Sequence, residues 1–164
     1  MIRKAGIEDI HAIRKMADVA FRRTYASILS PEQMDYMMDW MYSKESLLNQ
    51  MTSLGHIFYL DGEKGYVSFR FERQLDDGTK LFHLEKLYVL PEYQGTGLGL
   101  LLFNKVVESV KQIAGGPARI ELNVNRYNNA VSFYEHLGMH KARTGDFPIG
   151  HGYFMNDYIM AMDL

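Results

Sequence analysis

Apolar residues recur along the chain at two periods, and each change of period marks a change of element. Ile7, Ile10, Ile13, Ala17, Ala20 and Phe21 return every three or four positions, which predicts a helix to about residue 23 behind a short first strand at residues 2–4. Ser30-Pro31-Glu32-Gln33 then supplies a hydroxyl cap, a proline at the first helical position and a glutamine three residues after the cap. A second helix is expected over residues 31–41, and residues 44–54 suit a third. From Ile57 the pattern shortens into runs at 57–60, 66–73 and 80–89, separated by Asp61-Gly62 and Asp76-Asp77-Gly78. Those runs predict three strands in an antiparallel meander. Leu98, Leu101, Leu102, Val106, Val110 and Ile113 restore helical spacing up to Gly115-Gly116-Pro117. Ile120, Leu122 and Val124 alternate as a strand, and Ala130, Phe133, Tyr134 and Leu137 mark a short helix. Strands around Lys141 and over residues 153–162 complete an α/β chain with a mixed, mostly antiparallel sheet of about six to seven strands flanked by helices.

Composition narrows the function. The 164 residues, 47% of them hydrophobic, suffice for one core, so residues 1–164 read as one domain. No apolar run reaches the roughly 18 residues that cross a bilayer, and Glu8 and Asp9 follow the N-terminal Met1-Ile2-Arg3-Lys4 where a leader would be apolar. A cytoplasmic protein without a membrane partner is expected. A net charge of -2 offers no basic stripe for nucleic acid, and the absence of cysteine removes thiolate metal sites and thiol nucleophiles. No metal is expected either: His136 and His140 straddle Gly138, where the short helix should end, and cannot present one ligand face.

The chemistry concentrates at Gln94-Gly95-Thr96-Gly97-Leu98-Gly99, between a strand and a helix. Backbone N–H groups and the helix dipole attract an anion there, and glycine lets the backbone come close to a pyrophosphate. A Gly-x-Gly turn alone is equally a tight turn, a dinucleotide fingerprint or a relative of the P-loop. The P-loop lacks its Gly-Lys-Ser/Thr ending here, and a dinucleotide fold lacks its repeated βαβ units and later acidic residue. What remains, Gln-x-x-Gly-x-Gly after an apolar strand, resembles the acyl-CoA pyrophosphate loop of the GNAT N-acetyltransferase superfamily. Glu85-Lys86-Leu87-Tyr88-Val89-Leu90-Pro91-Glu92-Tyr93-Gln94 is similar to that family's fourth strand and its approach to the loop. Asn129-Ala130-Val131-Ser132-Phe133-Tyr134-Glu135-His136-Leu137-Gly138-Met139 is similar to its Asn/Ala…Phe-Tyr-x-x-x-Gly-Phe motif. The likeness covers about half the chain, whereas the helices before residue 55 match in layout only.

The resemblance implies a sheet splayed between its fourth and fifth strands, with acetyl-CoA as cosubstrate. Leu87, Tyr88 and Val89 would offer the free strand edge to its pantetheine arm, Gln94, Gly95, Thr96, Gly97, Leu98 and Gly99 would hold its pyrophosphate, and backbone N–H groups near Leu87 or Val89 would meet the oxyanion. The asparagine often found three positions before the motif's alanine is Tyr127 here, so the contact passes to Asn125, Asn128 or Asn129.

Transfer to an amine also needs a proton to leave, because an alkyl ammonium with pKa near 10 is not a nucleophile. Glu85 is the candidate base: on simple alternation it shares a strand face with Leu87 and Val89, where a charge breaks the pattern, and it matches the glutamate base of some polyamine-acetylating members. Tyr134, which in the family motif points at the thioester, is the candidate acid for the departing thiolate; its helical spacing also suits ordinary core packing. His83 shares the strand face of Glu85 and reads as a substitute base, a pocket wall or plain strand packing.

For the acceptor, Glu32, Asp35, Tyr36 and Asp39 form one stripe of the second helix, opposite Met34, Met37, Met38 and Met41. The stripe is either a solvated face or an anionic lip. With Phe21, Thr24 and Tyr25 upstream it resembles bacterial spermidine/spermine-type acetyltransferases, which makes a polyamine the expected small-molecule acceptor, bound through Tyr25, Glu32, Asp35 and Tyr36. Peptide or protein amines, or a non-catalytic acyl-CoA sensor, are the alternatives, and a homodimer is allowed.

Overall fold

Strand β1 (Ile2–Lys4) leads through a single 3-10 turn into α1 (Ile10–Tyr25), α2 (Pro31–Tyr42) and α3 (Lys44–Thr52). The meander β2 (Ile57–Asp61), β3 (Gly65–Gln74) and β4 (Lys80–Val89) follows, then α4 (Leu98–Ala114), β5 (Ala118–Asn125), α5 (Ala130–His136), β6 (His140–Gly150) and β7 (Tyr153–Asp163). This is a computed structural model describing all 164 residues, and none of its helices is long and apolar enough to cross a membrane.

The seven strands form one sheet in the order β1-β2-β3-β4-β5-β7-β6. Every neighbouring pair is antiparallel except β4 and β5, which run parallel because α4 carries the chain back to the end of the sheet where β4 begins. On one face α4 and α5 cover a cluster of 18 buried residues, among them Leu102, Val106, Val110, Val131 and Tyr134. On the other, α1 to α3 cover a cluster of 12, including Ile13, Phe21, Met34, Met37 and Leu47. The methionine stripe of α2 thus faces inward, with Met38 and Met41 packed at the margin of that cluster.

Local signals place the helix ends. Ser30 Oγ accepts from the Gln33 N–H at 3.1 Å and opens α2, while the Gln33 side chain reaches across to the Phe154 carbonyl of β7 at 3.0 Å instead of returning to the cap. The inner face of α4 follows steps of four through Leu98, Leu102, Val106, Val110 and Ala114, all buried. Leu101 and Ile113, expected on that face, are 56% and 50% exposed, because each precedes a member of this line by one position and is turned about 100° away.

Leu102 has no exposed surface and sits at the centre of the larger cluster. Leu102→Ala should cost about 2–5 kcal/mol in urea unfolding. A loss below about 1 kcal/mol would show that α4 closes over the gap and does not carry the core.

Candidate active site

The cleft begins where two strands part. β4 and β5 pair from Lys80↔Ala118 to Leu84↔Leu122 and no further, after which β5 stays with β7 as far as Asn125↔Asp157. β4 meanwhile stays with β3, but its register shifts: Ser68 faces Lys86 and Phe69 faces Leu84, leaving Glu85 as an extra residue. Such a bulge bends and twists the strand that carries it. It also resets the alternation. Phe82 and Leu84 pack on the α4/α5 side, and so do Leu87 and Val89, three and five positions after Leu84 rather than two and four. The expectation that Glu85 shares a face with Leu87 and Val89 is therefore corrected. Lys86 and Tyr88 turn toward the cluster beneath α1 to α3.

A cavity of about 760 Å³ opens along the divergence. Leu87, Tyr88 and Val89 line its β4 side, Asn123 and Val124 its β5 side, Phe133 and Tyr134 come from α5, and Thr24 and Tyr25 from the end of α1. Gln94, Gly95, Gly97, Leu98 and Gly99 form one end; Thr96 is not in the wall. Asn128 and Asn129 line the cavity, whereas Asn125 does not; the Asn125 side chain accepts from the Tyr127 N–H at 2.9 Å and shapes the turn instead.

The glycine turn is held from within. Gln94 Nε2 donates to the Val89 carbonyl at 3.2 Å, and Thr96 Oγ1 donates to the Tyr93 carbonyl at 2.5 Å. Gly97 stands at the N-cap of α4 with φ 87°, in the left-handed region that glycine favours. A Cβ there would meet nothing of the protein, so glycine is needed for the backbone's shape and for what approaches from outside. The first N–H groups of α4 have no intrahelical partners and point outward with the positive end of the dipole. Gly99 faces α5 instead, where a Cβ would stand in ordinary contact with Phe133 at 3.4 Å.

Glu85 Oε1 accepts from Arg70 Nε at 2.7 Å and contacts His83 Nδ1 at 3.0 Å. Burial alone would raise the Glu85 carboxyl, but the His83 hydrogen bond and charge outweigh it and hold the carboxyl at about 2. Burial likewise opposes the His83 charge, and Glu85 reverses it, so the ring titrates above its ordinary value. His83 Nε2 contacts Asn123 Oδ1 at 3.0 Å, and Asn123 Nδ2 donates to Asp157 Oδ2 at 3.2 Å. A polar chain thus crosses β3, β4, β5 and β7. Tyr134 is 7% exposed, and burial raises its phenol above the ordinary value, which keeps it a proton donor at neutral pH.

The acidic stripe lies elsewhere. Glu32, Asp35 and Tyr36 are absent from the cavity wall. Asp35 is paired with Arg22 at 2.6 Å, and the Tyr36 hydroxyl donates to the Ile149 carbonyl at 2.5 Å, tying α2 to the end of β6. Arg70, Asn123 and Asp157 were not marked by any local signal. Asn123 alternates with Leu122 and Val124 as a solvated strand residue would, and its partners come from other strands. Beneath the bulge, Lys86 Nζ donates to Gln50 Oε1 at 2.8 Å between the rings of Tyr42 and Phe58, and burial pushes it down to about 8.

Residues 15–147 match the model of the acetyltransferase (GNAT) domain. An uncharacterised N-acetyltransferase of Mycobacterium tuberculosis is 38% identical over 82 residues, 49% of this chain and 51% of the relative, so that match spans about half the relative's length. A spermidine N(1)-acetyltransferase of Thermoplasma acidophilum is 30% identical over 139 residues, 81% of this chain and 83% of that protein. Among solved structures, the PaiA N-acetyltransferase of Thermoplasma acidophilum in complex with coenzyme A superimposes with TM-score 0.77 at 25% identity, over 100% of this chain and 98% of the other.

Proposed function

We propose, because the chain belongs to the GNAT acetyltransferase family, that it transfers an acetyl group from acetyl-CoA to a primary amine by direct attack. One observation carries this reading: the β4–β5 divergence opens at Leu84 and Leu122, with an anion-accepting glycine turn at one end and the buried Tyr134 on its wall. Acetyl-CoA supplies the acyl thioester, and the residues present suit it. The turn at residues 94–99 holds the pyrophosphate, while the edge at residues 87–89, unpaired with β5, bonds the pantetheine arm as a neighbouring strand would. The amine attacks the carbonyl carbon, backbone N–H groups near Leu87 or Val89 receive the oxyanion, and the C–S bond breaks as Tyr134 donates to the departing thiolate.

Glu85 enters this scheme as an anion. A carboxylate held at about 2 cannot keep a proton at neutral pH, so the amine's proton passes by way of water rather than resting on Glu85. The same ionisation favours a cationic acceptor, and the Thermoplasma spermidine acetyltransferase supports a polyamine. The carboxylate that the polyamine reaches is Glu85, which stands in the cavity wall beside Arg70, whereas Asp35 lies outside the cavity on Arg22.

Assays of CoA release should therefore show spermidine preferred over neutral-tailed monoamines, and Glu85→Gln should raise KM for spermidine about tenfold with acetyl-CoA affinity unchanged, the effect of one charged hydrogen bond. Salt separates the two sources of charge. Attraction to exposed Glu32 is screened over about 8 Å at physiological ionic strength, whereas a sheltered pair with Glu85 is screened much less. If KM follows salt and ignores Glu85→Gln, the acceptor is read at α2. If spermidine is no better than a monoamine, the polyamine reading falls and peptide amines take its place.

A further inference from the structure

We infer that His83 is a positioning residue whose ring bridges the two lips of the cleft, holding Glu85 on β4 and Asn123 on β5 in fixed relation where they face the acceptor. The inference rests on the transferase reading above for its functional consequence, though not for its geometry.

Leu84↔Leu122 is the last pair between the parallel strands, so Glu85 and Asn123 are the first residues beyond it, one on each side of the opening. Both line the cavity, and His83 does not. Its ring lies behind them, Nδ1 on Glu85 Oε1 and Nε2 on Asn123 Oδ1, each at 3.0 Å. The pairing of these strands ends at Leu84↔Leu122, and the imidazole takes over the tie at the point where the ladder stops.

The partners dictate the ring's protonation. Nδ1 meets a carboxylate oxygen, which accepts only. Asn123 is turned by Asp157, whose carboxylate oxygen accepts from the amide nitrogen and leaves Oδ1, again an acceptor, toward Nε2; burial raises the Asp157 carboxyl, and Asn123, Arg126 and His83 pull it back toward the anion. Both ring nitrogens must therefore carry hydrogen, and the bridge is an imidazolium. Its charged surroundings agree: Glu85 on β4 and Asp157 on β7 favour the cation, while Arg70 on β3, itself 3.5 Å from Glu72, opposes it without touching the ring; Lys86 acts on Glu85 instead, and His56, which burial holds down to about 4, is neutral. Arg70 and His83 share Glu85 Oε1, so Oε2 has no hydrogen-bond partner in the protein and is left for an acceptor ammonium. A fixed carboxylate matters because it sets where the acceptor amine stands, and a displacement of about 1 Å in that amine costs up to roughly 10²-fold in rate.

The test reads the ring directly, by nitrogen-15 NMR of the full chain at pH 7, and the rate separately. Two ring N–H signals for His83 are expected; a neutral ring with one N–H overturns the bridge. His83→Gln, whose single amide cannot donate to both lips, should lower kcat for spermidine roughly 10- to 100-fold with acetyl-CoA affinity unchanged, and an unchanged kcat rejects the positioning role. Asp157→Asn, outside the cavity, frees the Asn123 amide to turn and should leave His83 neutral with one ring N–H at pH 7, a change that a purely packing role would not produce. A doubly protonated ring in that variant overturns the assignment of Asp157 as the group that sets the bridge. Should His83→Gln fail to fold, the native ring and the Asp157→Asn ring decide together. A native chain that ignores acetyl-CoA would sink the transferase reading alone, since the ring is read without turnover.

Discussion

Gly97→Val should abolish acetyl-CoA binding while the chain stays folded. At φ 87° the position lies where L side chains are strained, and a β-branched residue fits it worst. The strain, about 1–2 kcal/mol, is small beside the stability of a domain. Space inside the protein is not the obstacle, because a Cβ at Gly97 meets nothing within 4 Å. The side chain projects instead onto the outer side of the turn, where the pyrophosphate must approach, and relief of the strain would turn the N–H groups at the start of α4 away from it. Calorimetry with acetyl-CoA and with CoA measures the loss, and circular dichroism checks that the helices remain. Binding equal to that of the native chain would remove the pyrophosphate from this turn. A native chain that binds neither ligand would dismiss both the transferase and a non-catalytic sensor.

The second large effect belongs to Tyr134. Tyr134→Phe keeps the ring that packs against Phe133 and removes only the hydroxyl, so acetyl-CoA affinity should hardly change while kcat falls roughly 10²-fold or more. Burial, which raises this phenol, bears on how it acts. A phenol more basic than usual gives up its proton reluctantly to a thiolate whose parent thiol lies near 8.5, so much of its effect is a strong hydrogen bond to the developing anion. A shared hydrogen bond leaves kcat without a fall until strongly alkaline pH, where the phenol ionises. An unchanged kcat in Tyr134→Phe, with acyl transfer shown to limit the rate, would reject the role and leave the sulfur to solvent.

Much of the frame was legible along the chain. The run of residues 80–89 reads as a strand and is one, and the glycine turn stands between β4 and α4, where the residue pattern puts it. Ser30 caps α2 by contact with a residue three positions away. The corrections share a cause. Strict alternation put Glu85 beside Leu87 and Val89, and only the pairing with β3 reveals the extra residue that moves them apart. The stripe of α2 is acidic in sequence, but Arg22 of α1 occupies Asp35 once the two helices pack.

The order of elements, most of the line that α4 buries and the place of the glycine turn follow from the chain read alone, because they depend on periodicity and on contacts within about four residues. What stands at the cleft does not. Arg70 meets Glu85 across 15 positions, Asn123 meets Asp157 across 34 and His83 meets Asn123 across 40. Each meeting requires the register of a particular strand pair, and a slip of one residue would turn every one of these side chains to the opposite face of the sheet.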